Sequence, residues 1–296
     1  MKSHGGRKAL VAIVIGGVLC VAGINLVRRQ TRETYTAPLA PEHATQAAAE
    51  IRAALFSELQ PVRLSNCELE RFGERNDGGY LLCANLLQDA AAGYSYGISG
   101  YDQWGCDTSR KLGARVHQYD CFDLERPSCA AGDTVFHEEC LAARTFVDKE
   151  QRRFDTLENQ LARNGDAASR IVIKMDVEGA EWDAFLAAPD RVLERIDQLV
   201  VELHGTSDER YLAAVRRLKR VFLVAHLHFN NFACWPGLEP FPAWAYEVLF
   251  VSRRVGVADA SRPPVRPHPL DAPNNLKAPD CQTARAATDR IASRSR

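Results

Sequence analysis

Residues 171–182 read IVIKMDVEGAEW. Ile171, Val172 and Ile173 open a buried strand, Gly179 permits a turn, and Trp182, Phe185 and Leu186 continue as helical material. Between strand and turn stand Asp176 and Glu178. They straddle Val177, so on a strand predicted over 171–177 both carboxylates point to one face. A strand that only needed packing has no use for them. Glu181 falls at the start of the next helix, where the dipole favours negative charge. A first-turn role accounts for one of these three acids, not for all of them.

Around this segment strands and helices alternate. Ile51, Leu55, Phe56 and Leu59 mark a helix from Ala44 to Leu59, and the turn-rich GERNDGGYLLC follows at 73–83. Strands are predicted at 94–99, 114–120, 134–138, 171–177, 198–204, 220–229 and 245–253. Helices are predicted at 102–113, around Phe154, Leu157 and Leu161, and around Tyr211, Leu212, Val215 and Leu218. This rhythm implies an α/β fold with a parallel sheet covered on both faces. The last two strands are joined by 230–244, NNFACWPGLEPFPAW, which has no helical pattern, so the seventh strand returns antiparallel.

The flanks differ from this core. Residues 9–27, ALVAIVIGGVLCVAGINLV, carry no charge and would span about 28 Å as a helix, close to the hydrocarbon thickness of a bilayer. A basic stretch at 1–8 precedes them and Arg28, Arg29 and Arg32 follow. A cleaved signal peptide would have a shorter apolar region followed by a small-residue cleavage site, so an uncleaved single-pass membrane anchor is the expectation. Residues 28–45 read as a linker, 46–255 as the folded domain and 256–296 as a Pro-rich C-terminal tail. The balance of 37 basic against 38 acidic residues, net −1, argues against a nucleic-acid partner.

There are nine cysteines, with Cys20 inside the anchor. The other eight are an even set, which fits a lumenal or extracytoplasmic domain with disulfides; buried thiols of a cytosolic domain are the alternative. No Cys/His spacing suits zinc.

Ligands of open α/β sheets bind beyond the carboxyl ends of the strands. The first strand there ends in Gly97, Ile98, Ser99 and Gly100, a short turn that lets a cofactor approach the backbone but lacks the third glycine of a dinucleotide site. The second ends in Asp120, 20 residues on, placed to hold ribose hydroxyls, with Asp123 as a substitute. A helix N-cap is the plainer role for that aspartate. The fifth ends in Glu202 and His204, the sixth in His226, His228, Asn230 and Asn231. Acids and imidazoles thus gather at the ends of adjacent strands.

A seven-stranded sheet with a reversed last strand is the Rossmann-like architecture of class I methyltransferases. KMDVEGAEWDAF (174–185) resembles the signature segment of FkbM-type S-adenosylmethionine-dependent methyltransferases. RFGERNDGGYLLC (71–83), YSYGISGYDQWGCD (94–107), VHQYDCFD (116–123), VVELHG (200–205) and HPLDAPNNLKAPDC (268–281) resemble the related single-span methyltransferase-like proteins of animals. The likeness covers roughly residues 65–281. It implies methyl transfer from S-adenosylmethionine to an oxygen of a sugar, glycan or other small hydroxyl compound. By matching positions it implies that Gly97, Ser99, Gly100 and Asp120 touch the cofactor, that Asp176, Glu178 and His204 form the catalytic edge, and that Cys281 ties the tail back to the domain. His204, with a pKa expected near neutral, is the candidate base. A version with magnesium or manganese on Asp176, Glu202, His204 and Asn230 is the less favoured form. The rival from another class is a non-catalytic binding module on a membrane stalk; a nicotinamide-linked oxidoreductase comes third, disfavoured by the short glycine turn.

Overall fold

The computed structural model describes residues 45–281. The anchor expected at 9–27, the linker up to residue 44 and residues 282–296 lie outside them. Among the described residues no helix is long and apolar enough to cross a membrane.

The chain enters through helix α1 (Gln46–Glu58), capped by the Thr45 hydroxyl, which accepts a bond from the Ala48 amide. A hairpin, β1 (Leu69–Gly73) and β2 (Gly79–Cys83), follows. Next come β3 (Ala92–Tyr96), α2 (Gln103–Leu112), β4 (Val116–Asp120) and β5 (Thr134–Glu138). Three short strands, β6 (Cys140–Leu141), β7 (Phe146–Val147) and β8 (Arg153–Asp155), pair among themselves and lead into α3 (Leu157–Arg163). The remainder is β9 (Ile171–Met175), α4 (Ala180–Ala187), α5 (Asp190–Leu193), β10 (Ile196–His204), α6 (Glu209–Val221), β11 (Phe222–Phe229) and β12 (Ala245–Ser252).

Seven strands form one sheet in the order β11-β12-β10-β9-β3-β4-β5. β12 runs antiparallel to both neighbours, and the other four pairings of this sheet are parallel. Every residue of β3, β4, β9, β10 and β12 is buried, as expected of strands covered on both faces. This is a mixed α/β fold whose strand order is that of a Rossmann-like methyltransferase sheet, with the reversed seventh strand expected from the proline-rich connection.

The helices stop where their ends are satisfied. Asp102 caps α2 through the Gly105 amide, and Gly113, at φ 63°, closes it. α6 buries Ala214, Val215 and Leu218, and its Arg216 and Lys219 bind Glu58 of α1. The hairpin is attached to the sheet by a side chain acting as a strand: the Gln198 amide accepts from the Cys83 amide at 2.8 Å and donates to its carbonyl at 2.9 Å.

Two boundaries differ from expectation. Phe154, read as a helix residue, lies in β8, because Thr156 caps the helix two residues later. β9 ends at Met175 rather than Val177. Glu178 and Gly179 turn left-handed, at φ 55° and 101°, so Asp176 and Glu178 do not sit on one strand face. The cause is Gly97: a Cβ there would lie 1.6 Å from the Asp176 carbonyl oxygen, so the two strand ends are pressed together before the chain turns.

Residues 256–281 contain no helix or strand but lie across the sheet as a strap. Arg71 and Asn76 donate to the carbonyls of Leu270 and Pro273, and Asn231 donates to those of Asn275, Ala278 and Pro279. The strap ends in a disulfide, Cys234–Cys281. Cys67–Cys83, Cys106–Cys129 and Cys121–Cys140 pair the remaining described cysteines.

Candidate functional site

The order of the sheet reverses at β3, whose neighbours are β9 and β4, so the crevice beyond its carboxyl end is where a ligand is expected. The turn there uses three left-handed residues: Gly97 at φ 70°, Ser99 at 47° and Gly100 at 74°. Asp120 holds it. One carboxylate oxygen accepts from the Ser99 amide at 2.8 Å, the other from Phe122 and Asp123 at 2.8 and 3.1 Å. The structure therefore gives Asp120 the work of shaping the turn, not that of a helix cap. Asp123 is half-buried, and its Oδ2 lies 3.1 Å from where a Cβ on Gly100 would stand. Tyr101 and Phe122 flank the turn, 58% and 69% exposed.

On the other side of β9 stands the acid–imidazole cluster. His204 closes β10, and its ring is nine-tenths buried. Glu181 of α4, wholly buried, accepts from the His204 backbone amide at 2.8 Å and meets Nδ1 at 3.3 Å. The Trp182 indole donates to the His204 carbonyl at 2.7 Å. The backbone of His204 is thus held at both its amide and its carbonyl and the ring at Nδ1, and Nε2 faces Glu178 at 3.5 Å, Glu202 at 3.7 Å and Asp176 at 3.8 Å. Burial opposes a charged imidazole, but the bond to Glu181 and the charges of Glu181, Glu202 and Asp176 outweigh it, raising His204 to about 10. Against the near-neutral value expected from sequence, the surrounding acids favour the charged ring where no other cation balances them.

The carboxylates are unequally served. Glu202 accepts from the Asn230 side chain at 2.8 Å. Burial, and then the charge of Asp176, push Glu202 well above the usual carboxylate range, against the pull of His204. Asp176 Oδ2 receives the Tyr80 hydroxyl at 3.3 Å, while its buried Oδ1 has no hydrogen-bond partner. Asn230 turns its side-chain nitrogen, not its oxygen, toward this group: the nitrogen donates to Glu202 and the amide oxygen accepts from the Phe232 amide. The group that offers converging ligand atoms, all within 4.8 Å of one another, is Asp176, Glu202 and His204.

A second polar cluster continues along the same sheet face. Glu202, Glu247 and His228 are cross-strand partners and so share that face. An irregularity between Val224 and His226 resets β11 so that both histidines join it. Here the partners come from the strap: His226 meets Asp271 at 2.8 Å, Asn274 donates to Glu247 at 2.7 Å, and Asp280 stands 3.7 Å from His228.

The structure therefore puts the seven residues singled out from sequence on two sides of β9. Gly97, Ser99, Gly100 and Asp120 make the turn; Asp176, Glu178 and His204 make the cluster. Sequence reading missed Glu181 as the partner of His204, Tyr80 as the donor to Asp176, and the inserted strap residues. Glu181 was visible in the opening segment, but its place in a first helical turn supplied a sufficient reason for an acid.

No family model matches the chain, and no curated protein matches it either. Among solved structures, the Methanococcus jannaschii fibrillarin pre-rRNA processing protein aligns with 64% of this chain and 83% of its own, at 11% identity and a TM-score of 0.32. A likeness that slight carries no argument, and the fold assignment rests on strand order and direction.

Proposed function

We propose that this protein is an S-adenosylmethionine-dependent methyltransferase that methylates a hydroxyl oxygen of a sugar, glycan or other small molecule. The observation that carries the reading is the pairing of two features at one sheet edge. A left-handed glycine turn lies at the switch point, and an acid cluster stands beside it across β9. The residues at the turn suit a nucleoside: Asp123 for the ribose diol, the backbone at Gly97 and Gly100 for close approach, and exposed Tyr101 and Phe122 for a flat base. Asp120 acts by holding Ser99 in place. S-adenosylmethionine would supply an activated methyl group; the protein's task is to seat the acceptor and remove its proton.

Where no cation is bound and His204 carries a proton, that task passes to Asp176, whose Oδ1 makes no hydrogen bond. Glu178, its side chain 60% exposed, binds the acceptor from the solvent side. His204 pulls Glu178 and Glu202 toward their charged forms, against burial. Most of the acceleration then comes from positioning. Four disulfides among the described cysteines support an oxidising compartment, outside the cytosol, for the domain.

The test is calorimetric titration of S-adenosylmethionine into the full chain with its disulfides intact. Micromolar binding that weakens at least tenfold in Asp123→Ala supports the reading. No binding by a folded sample refutes it and leaves a membrane-stalked binding module in its place. Binding that survives in Asp123→Ala but fails in Asp120→Asn would move the ribose contact to Asp120.

A further inference from the structure

We infer that Asp176, Glu202 and His204 form a binding site for one divalent first-row cation, manganese or zinc. Only the purpose of that cation, to seat the acceptor oxygen, rests on the methyl-transfer reading; the site itself does not.

The first support is shape. His204 Nε2 lies 3.8 Å from Asp176 Oδ1 and 3.7 Å from Glu202 Oε1. With these two edges and all three ligand atoms within 4.8 Å of one another, a point about 2.2–2.4 Å from each exists, close to the bond length of a first-row divalent cation to oxygen or imidazole nitrogen. The set of two carboxylates and one imidazole suits manganese or zinc better than calcium, which wants six to eight oxygens.

The second support is orientation. Glu181 is wholly buried and holds His204 at both its backbone amide and Nδ1. A carboxylate on one imidazole nitrogen turns the other toward a metal and makes it a better ligand. Here the other nitrogen makes no hydrogen bond and is aimed at three carboxylates. A divalent cation placed between these groups would take the place of the proton that the ring otherwise carries there.

The third support is what the neighbours withhold. Asp176 Oδ1 is buried without a hydrogen-bond partner; Tyr80 satisfies its Oδ2, and Asn230 orients Glu202 by donating to Oε1, which keeps a second lone pair. Glu178 approaches the same nitrogen from the open side, so the remaining coordination positions face solvent, where an acceptor oxygen can enter. The neighbouring histidine cluster differs: Asp271 bonds His226, and the free Nε2 of His228 faces Asp280, without three ligand atoms drawn together there.

The experiment uses the full chain, stripped with a chelator and kept oxidised. Manganese is titrated and followed by the loss of the free-ion electron paramagnetic resonance signal, with zinc and magnesium as competitors. The expected result is one manganese per chain, displaced by zinc. Glu202→Gln, His204→Ala and Asp176→Asn each weaken it at least tenfold, and Asp280→Asn leaves it unchanged. Glu181→Gln, which touches no metal position, weakens it by about tenfold through loss of orientation. Thermal unfolding checks each variant, and Asp176→Asn, on the partly exposed rim, remains informative if a buried replacement fails to fold. No saturable site, or binding unchanged in Glu202→Gln and Asp176→Asn, would overturn the inference, as would binding lost only in Asp280→Asn. A parallel cofactor titration separates the two readings: cation without cofactor removes methyl transfer, and cofactor without cation removes this site.

Discussion

The two halves of the polar row answer the same problem differently. Around His204, carboxylates from β10, the β9 turn and α4 converge, with one oxygen unpartnered and one edge open to solvent. Around His226 and His228, the acids are met by a separate length of chain that inserts Asp271, Asn274 and Asp280 from above. The first half is left incomplete by its own elements. The second is covered by the strap, which bonds His226 and Glu247 directly and leaves His228 Nε2 and Asp280 Oδ1 buried without a hydrogen bond. Buried charge thus adds to stability where a partner arrives from the fold, and is available to a ligand where an open edge admits one.

The largest way to break this contrast is to release the strap. Cys281→Ser opens a disulfide spanning 47 residues, with an expected loss of about 4 kcal/mol on the chain-entropy account. Denaturant unfolding measures it, and a loss below about 1 kcal/mol would show that hydrogen bonds alone hold the strap.

A second probe is pH. Burial opposes a charged His228, but its bond to Glu247 and the charges of Glu247, Asp271 and Asp280 raise it from 6.5 to about 9. The folded state then holds a proton that the unfolded chain releases. The stabilisation is full below pH 6.5 and fades as pH rises through about 9, amounting to about 3 kcal/mol. His228→Gln should flatten that slope. An unchanged slope would mean the strap half does not depend on this charge.

Asp120→Asn tests the turn. It weakens charged bonds to three backbone amides and should lower stability by about 1–3 kcal/mol, read from the same unfolding curves. The smallest effect is expected at Glu178, left-handed and exposed. Glu178→Gly should gain up to about 1 kcal/mol by relieving the backbone, while lowering any methyl-transfer rate. A stable variant with full activity would remove Glu178 from the open half.

The sheet was legible because its signals are local. Apolar runs such as Ile171–Ile173 need no partner to be recognised, and Pro236, Pro240 and Pro242 exclude a crossover helix before β12. The turn at Gly97–Gly100 was legible for the same reason. The partners were not. Glu181 reaches His204 across 23 residues of sequence, and Asn274 reaches Glu247 across 27. Composition also misled: a Pro- and Arg-rich stretch looks unable to build a core, yet this one contributes single polar side chains at fixed points. The left-handed Glu178 had no signature, because such a turn normally announces itself with glycine or asparagine.

The pairing of Cys234 with Cys281 has a consequence for how the molecule matures. Cys281 follows every strand of the sheet in chain order, so all seven strands can be in place while the wall over Glu247 and His228 is still absent. The cover of the polar row is thus the last part of the described fold to be made, and its cross-link joins two stretches that both lie outside the strands of the sheet.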